Sequence, residues 1–312
     1  MPSFALRSLD RRQPAPCRYQ GAHLPPQELL YIHAVSRETI HGMTLTEVRE
    51  LLAELDIRPS KALGQNFLVD GNILRILIDH ADLRHDETVL EIGPGLGVLT
   101  VELIPRARRV VAVERDPRLC RYLREHVDGI ELVEGDAVEV LERPEFQVAA
   151  PYKVVSNLPY SISTPILERL VEREDKPRAM VLTVQREVAH RLAAAPRHKD
   201  YGALTVFTQL RYHVTIAHII SPQCFYPAPQ VDSAIVVLDR RDLRVKLRAK
   251  ALFHEVVRAG FAQRRKMLRK LLAPFGDVDQ AFAAASVAPT ARAEELAVEQ
   301  WIMLANAIES GP

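Results

Sequence analysis

A chain of 312 residues, 47% hydrophobic and 26% charged, is long enough for two folded domains. Its formal charge of +1 excludes a uniformly basic or acidic surface as a guide to partners. Three cysteines (Cys17, Cys120, Cys224), far apart and without a CxxC pair, exclude a disulfide framework and a cysteine-built zinc site. No apolar run approaches the roughly 18 residues of a membrane span. The composition therefore fits a soluble protein of a reducing cytoplasm, with no membrane contact and no demand for more than a monomer.

Residues 1–42 contain Pro2, Pro14, Pro16, Pro25 and Pro26 and sustain no helical or strand period, so they read as a disordered extension. Four arginines against one acid in the first twenty residues give this stretch a trace of transit-peptide character; a disordered extension or a start codon placed too early is the stronger reading. Thr44-x-x-Glu47 is a capping box ahead of Val48, Leu51, Leu52 and Leu55, so ordered structure is expected from about Met43. Asp70 can cap a helix through Ile73, Leu74, Leu77 and Ile78. Strand and helix signals then alternate. Strands are predicted at Thr88–Ile92, Val110–Val113, Ile130–Val133, Lys153–Ser156 and Ala179–Val184, with helices opened by the Gly-rich loop, by Asp116-Pro117 and by Thr164-Pro165. That order implies α/β architecture with a mostly parallel, doubly wound sheet. Val214–Ile219 and Ser233–Leu238 are close enough to pair antiparallel at one edge, and from about 245 onward the pattern is helical only. The division expected is 43–240 for the α/β domain and 241–312 for a small all-helical one.

The loop Glu91-Ile92-Gly93-Pro94-Gly95-Leu96-Gly97 follows the first of these strands and opens a helix, where glycines let backbone pass close to a ligand. A dinucleotide fingerprint wants Gly or Ala where Val98 stands, and Glu91 would repel a pyrophosphate, so a cationic ligand fits better. Glu114, at the end of the next strand, can accept both hydroxyls of a ribose, and Asp136, at the end of the third, can accept from an adenine amino group. Each acid alone also reads as a surface charge. The fourth strand ends in Asn157-Leu158-Pro159-Tyr160. An adenine amino group is a poor nucleophile because its lone pair is delocalised into the ring. The Asn157 amide oxygen and the Leu158 carbonyl can hold its two hydrogens while the nitrogen pyramidalises, Pro159 sets the turn, and Tyr160 offers a stacking face.

These residues together resemble the KsgA-type ribosomal RNA small-subunit adenine dimethyltransferases, over roughly residues 44 to 309. Lys61-Ala62-Leu63-Gly64-Gln65-Asn66-Phe67-Leu68 is similar to the family's N-terminal motif, Gly93, Gly95 and Gly97 to its cofactor loop, and Asn157–Tyr160 to its catalytic tetrapeptide. The resemblance implies a class I methyltransferase (Rossmann-like) fold and S-adenosylmethionine as cofactor. Gln65, Asn66, Leu68, Glu91, Gly93, Gly95, Gly97, Glu114, Asp136, Ala137 and Asn157 would hold that cofactor. Phe225-Tyr226-Pro227-Ala228-Pro229-Gln230-Val231-Asp232-Ser233 is similar to the second substrate motif, which implies that Phe225 sandwiches the target base opposite Tyr160. Without the family, Phe225 reads as a loop aromatic that can simply pack. The activity implied is transfer of four methyl groups to two adjacent adenosines in the 3′-terminal hairpin of 16S rRNA, within the small ribosomal subunit or its precursor.

Charge is unevenly spread: residues 239–275 hold 12 basic and 3 acidic side chains, and 276–312 hold 1 and 6. Such a block points to nucleic acid, a solvated helix face being the plain alternative. The run from Phe261 to Lys270 also resembles the family. On one continuous helix, Phe261, Leu268, Leu271 and Leu272 would face inward, while Arg264, Arg265, Arg269 and Lys270 project outward and Lys266 sits at the seam. These five cations are the expected RNA-binding group. Arg292–Leu296 reads as a structural cap or surface pair. His80, His85, His190, His198, His213 and His218 lack metal-ligand spacing. Two other readings remain open: a large-subunit rRNA adenine methyltransferase of the macrolide-resistance type, and a non-catalytic assembly or transcription factor of the same fold. A nicotinamide oxidoreductase is opposed by Glu91 and Val98.

Overall fold

Thr44 caps the first described helix as its sequence requires: its hydroxyl accepts the Glu47 N–H at 3.3 Å while the Glu47 carboxylate accepts the Thr44 N–H at 2.7 Å. The computed structural model describes residues 42–60, 63–276 and 278–309; the extension expected over 1–42, apart from Gly42, and the Lys61-Ala62 pair lie outside the described residues. Helix α1 (Leu45–Glu54) leads to a two-residue strand, β1 (Phe67–Leu68), and to α2 (Gly71–Ala81), capped by Asp70 on the N–H groups of Asn72 and Ile73. There follow β2 (Thr88–Ile92), α3 (Thr100–Leu103), β3 (Arg109–Glu114), α4 (Pro117–His126), β4 (Ile130–Glu134), α5 (Ala137–Glu142), β5 (Tyr152–Asn157), α6 (Ser163–Glu172) and β6 (Ala179–Gln185). Asp116 caps α4 with Pro117 at its first position, the arrangement that costs the helix no N–H.

The chain closes the sheet with α7 (Arg186–Ala193), α8 (Ala203–Gln209), β7 (Tyr212–Ile220), β8 (Phe225–Tyr226) and β9 (Ser233–Arg240). The seven-stranded sheet runs β4-β3-β2-β5-β6-β9-β7, parallel from β4 to β6, with β9 and β7 antiparallel at one edge as their spacing predicts. Strand β2 is buried along its whole length because helices cover both faces. Alternation sorts the side chains: Leu90, Ile92, Val111 and Val113 pack towards Val140 and Leu167, while Val89, Val110, Val155 and Val181 pack towards Leu74, Leu77 and Leu103. A separate two-stranded ribbon pairs Phe67 with Tyr226 and Leu68 with Phe225, so two distant motifs meet at one place. No helix among the described residues is long and apolar enough to cross a membrane.

Helices α9 (Lys250–Phe261), α10 (Leu268–Leu272), α11 (Val278–Ala284) and α12 (Val298–Glu309) pack around Phe253, Phe282 and Trp301. Tyr201, Phe207 and Leu210 join the same cluster, and the Tyr201 hydroxyl donates to the Leu296 carbonyl at 2.8 Å, so this core reaches back across residue 240. Two expectations fail here. The helical pattern starts at Lys250 rather than about 245, because Leu243, Val245 and Leu247 pack at a spacing of two as an extended segment. The basic run is also not one helix: α9 stops at Phe261, residues 262–267 turn, and α10 starts at Leu268. Tertiary bonds prevail over helix continuation there. The Arg264 guanidinium donates to the carbonyls of Lys199 and Tyr201, and the Leu268 N–H donates to the Ala291 carbonyl at 2.9 Å. Leu268 and Leu272 are buried, but Phe261 and Leu271 only half so.

Candidate active site at the carboxyl edge of the sheet

Parallel strands leave their last carbonyl groups and the following helix N-termini at one edge, and that edge holds an open cleft between the ends of β2 to β5 and the segment from Leu63 to Leu68. The cleft brings together Gln65, Asn66 and Leu68 from the N-terminal motif, and Glu91, Gly93 and Gly95 from the Gly-rich loop. Glu114, Ala137, Asn157, Leu158 and Pro159 complete it from the later strand ends. Gly97, Asp136, Tyr160 and Phe225 do not line it.

The loop glycines differ in purpose. Gly95 (φ +60°) faces the cleft, and a Cβ there would stand 3.1 Å from the Phe67 ring. Gly97 (φ +78°) points away: a Cβ would meet Leu123 at 3.1 Å and Val127 at 3.3 Å, so it lets the loop lie on α4 and does not line the cleft. Glu114 binds the loop together. Its carboxylate accepts the N–H of Gly95 at 3.1 Å, of Arg115 at 2.8 Å and of Asp116 at 2.9 Å. Burial pushes this carboxyl above its ordinary pKa, the three N–H groups pull it down, and the Asp116 charge adds to the push. Glu91 is 1% exposed and accepts the Thr100 hydroxyl at 2.7 Å. Burial first, and the Glu114 charge second, push it up to about 8 against that hydrogen bond, so it is mostly protonated near neutrality.

Asp136 caps α5 on the Val138 N–H at 2.9 Å and pairs with the Arg115 guanidinium at 2.9 Å. Arg115 itself lines the cleft, a residue the sequence reading passed over although it directly follows the strand-end acid. Asn66 and Gln65 are also engaged: the Asn66 amide donates to Gly64 at 3.1 Å, and Gln65 accepts the Ser60 N–H at 2.9 Å.

The end of β5 is built differently. The Asn157 Nδ2 donates to the Asn66 carbonyl at 3.0 Å, which fixes the orientation of the amide, and its Oδ1 is buried with no hydrogen-bond partner among the described residues. Leu158 donates its N–H to Thr183 at 3.2 Å, while its carbonyl accepts from no described residue. Tyr160 hydrogen-bonds Ser233, and burial pushes its hydroxyl up to about 12, so it is no base at neutral pH. Ser233, the last residue of the Phe225–Ser233 motif, thus holds the Tyr160 hydroxyl. Tyr160 and Phe225 meet edge to face, ring centroids 6.2 Å apart and planes at 74°, and Phe225 is 3% exposed. The expected sandwich is therefore not open: Phe225 packs in the core against Leu68 and Ile220 because the β1–β8 ribbon draws it inward. Arg264, Arg265, Lys266, Arg269 and Lys270 lie outside the cleft, exposed, with Arg264 bound to carbonyls and Arg269 paired with Asp279.

S-adenosylmethionine fits these residues. Two buried carboxyl groups suit a ligand with a cationic end and a ribose, glycine at position 95 leaves space a Cβ would fill, and the orphaned Asn157 oxygen waits for an N–H beside it.

A family profile described as Ribosomal RNA adenine dimethylase matches residues 58–310. A protein named Ribosomal RNA small subunit methyltransferase A from Clostridium botulinum is 36% identical over 268 residues, 83% of this chain and 98% of its own. Among solved structures, a dimethyladenosine transferase from Plasmodium falciparum superposes with a TM-score of 0.63 at 26% identity, covering 76% of this chain and 95% of that one. The 23S rRNA methyltransferase ErmE gives 0.59 at 30% identity, covering 78% and 100%. With that match spanning sheet, cleft and helical tail, the chain belongs to the ribosomal RNA adenine dimethylase family of S-adenosylmethionine-dependent methyltransferases.

Proposed function

We propose that this cleft binds S-adenosylmethionine and that the Asn157–Tyr160 corner dimethylates N6 of two adjacent adenosines in the 3′-terminal hairpin of 16S rRNA, in the small subunit or its precursor. The observation that carries the reading is the buried, unpartnered Asn157 Oδ1 next to an unpartnered Leu158 carbonyl. Two fixed acceptors with no donor match an amino group with two hydrogens. Holding both hydrogens frees the nitrogen lone pair, and the groups need no reorganisation as charge develops. When bound, S-adenosylmethionine supplies an electrophilic methyl group. Gln65, Asn66 and the buried Glu91 face its amino-acid end, Glu114 its ribose, and Ala137, with Asp136 capping behind it, its adenine. Tyr160 stacks on the target base once Phe225 withdraws from its edge, and Ser233 holds the Tyr160 hydroxyl meanwhile.

The target must leave its helix to reach such a corner, which favours a hairpin nucleotide over a paired one. The small subunit is favoured over the large by the 36% identity to a small-subunit enzyme over nearly its whole length, together with the complete helical tail. A cytoplasmic monomer is the state this reading assigns. The test is methyl transfer from radiolabelled S-adenosylmethionine to small and large subunits isolated without prior adenine dimethylation. Label as N6,N6-dimethyladenosine in small-subunit RNA alone is expected. Label in large-subunit RNA instead would transfer the chain to the resistance-type activity, and tight binding without label would make it an assembly factor.

A further inference from the structure

Half of the cations in residues 239–275 fall between the last residue of β9 and the first of α9, in a stretch no motif claims: Arg240, Arg241, Arg244, Lys246, Arg248 and Lys250. Residues 241–249 form neither helix nor strand, yet their exposure alternates strictly, odd positions half-buried and even positions exposed. Leu243, Val245 and Leu247 face the helical core. One side chain holds the segment extended. Asn306 of α12 donates to the Lys246 carbonyl at 2.8 Å and accepts the Arg248 N–H at 3.0 Å, the two bonds a neighbouring strand would otherwise supply.

The result is a strap with Arg244, Lys246 and Arg248 on its outer face, consecutive Cα atoms of this set no more than about 7 Å apart, and Lys250 following at the head of α9. Asp242 is the one acid on that face. Arg244 and Lys246 form no ion pair among the described residues, in contrast to Arg269 of α10, which pairs with Asp279. Lys250 stands at the first position of α9, in a first turn with no acid, where a positive charge opposes the helix dipole. Its ammonium instead donates to the Glu172 carbonyl at 2.9 Å, at the C-terminal end of α6, where a cation is favoured. The field at this end of the strap is strong enough to act on its neighbours: burial, then Arg211, Lys250 and Arg240, hold the Lys176 ammonium below its ordinary pKa.

The strap also lies at the other end of the molecule's sheet. β9 runs antiparallel to β6, and Asp239 sits opposite Ala179, the first residue of β6. The strap therefore leaves the sheet where the parallel strands begin, whereas the cleft lies where they end, a separation of about 20 Å along a six- or seven-residue strand.

We propose that Arg244, Lys246, Arg248 and Lys250 form a second RNA contact, gripping the sugar-phosphate backbone of an rRNA segment remote from the adenosine in the cleft. This rests on small-subunit rRNA being the substrate. Contacts to phosphate and sugar position the RNA without reading its sequence. The cleft then receives its hairpin only from RNA folded so that both surfaces are met at once.

The test is Arg244→Gln with Lys246→Gln, two exposed changes that leave Asn306 and its bonds in place. Binding to unmethylated small subunits is measured from low to high salt, beside the wild type. Expected are an affinity at least tenfold weaker at low salt and a log–log salt slope shallower by about 1.4–1.8 for two lost phosphate contacts. The KM for subunits rises in the same proportion, with kcat at saturating subunit, S-adenosylmethionine affinity and melting temperature unchanged. An unchanged affinity and slope, with the wild type methylating normally, would overturn the strap alone. Weaker binding with an unchanged slope would also overturn it, since a protein neighbour rather than phosphate would then be the contact. A wild type that neither binds nor methylates small subunits would remove the substrate reading, and this surface with it.

Discussion

The two walls of the cleft treat their polar groups in opposite ways. On the cofactor wall nearly every acceptor is already used: Glu114 by three backbone N–H groups, Glu91 by Thr100, and just behind the wall Asp136 by Val138 and Arg115. On the base wall Asn157 Oδ1 and the Leu158 carbonyl are left without donors. A satisfied group is rigid and stable, and it receives a ligand through its remaining lone pairs. An unsatisfied buried acceptor costs about 1–3 kcal/mol until a donor arrives. The fold thus spends stability on the wall where selectivity for an amino group matters and keeps the other wall firm.

Changes on each wall sharpen that contrast. The largest effect is expected from Phe225→Ala, which empties a core position beside Tyr160 and should lower unfolding stability by about 3–5 kcal/mol in urea melts as well as methylation. Phe225→Leu keeps most of the volume, so a loss of under about 1.5 kcal/mol with a severe loss of methyl transfer would isolate the stacking role. Glu114→Gln faces an N–H with an NH₂ and strands one loop donor. It should cost about 1–3 kcal/mol and weaken S-adenosylmethionine binding at least tenfold by calorimetry. Gly97→Ala should cost about 1–2 kcal/mol through its positive φ and the Leu123 contact, yet leave cofactor affinity intact, because position 97 does not face the cleft.

The last effect is a slope. The Glu91 pKa is raised to about 8 in the folded protein, so the native state holds a proton that the unfolded chain releases above its ordinary carboxyl pKa. Stability from this group is fully present below about 4.5 and is lost as pH rises through about 8. Glu91→Gln should remove that decline, making the variant gain on the wild type in melting temperature between pH 6 and 8.5. Parallel curves would contradict the buried, protonated carboxyl.

What the sequence disclosed was local. The strands from Thr88 to Gln185 are short apolar runs between turn residues, and Thr44, Asp70 and Asp116 announce their helices within three positions. The placement of Gly93, Gly95, Glu114 and Asn157 at one edge follows from alternating strands and helices. What it hid depends on distant partners. Whether Gly97 faces ligand or α4 is decided by Leu123, and whether the basic run stays helical is decided by the carbonyls of Lys199, Tyr201 and Ala291. The closed Tyr160–Phe225 pair depends on a ribbon between residues 67–68 and 225–226, which no periodicity reveals. The strap before α9 was readable as an alternation of Leu243, Val245 and Leu247 with cations, but its bracing by Asn306 was not.

The most direct test of the contrast is Asn157→Ala, read twice on the same protein. S-adenosylmethionine affinity is measured by calorimetry, and methyl transfer to unmethylated small subunits is measured in a single turnover. Loss of one preorganised acceptor predicts a rate lower by about 10²–10³ with cofactor affinity within a few fold of the wild type. A wild-type rate, or a loss confined to cofactor binding, would contradict the assignment of the orphaned oxygen to the target amino group.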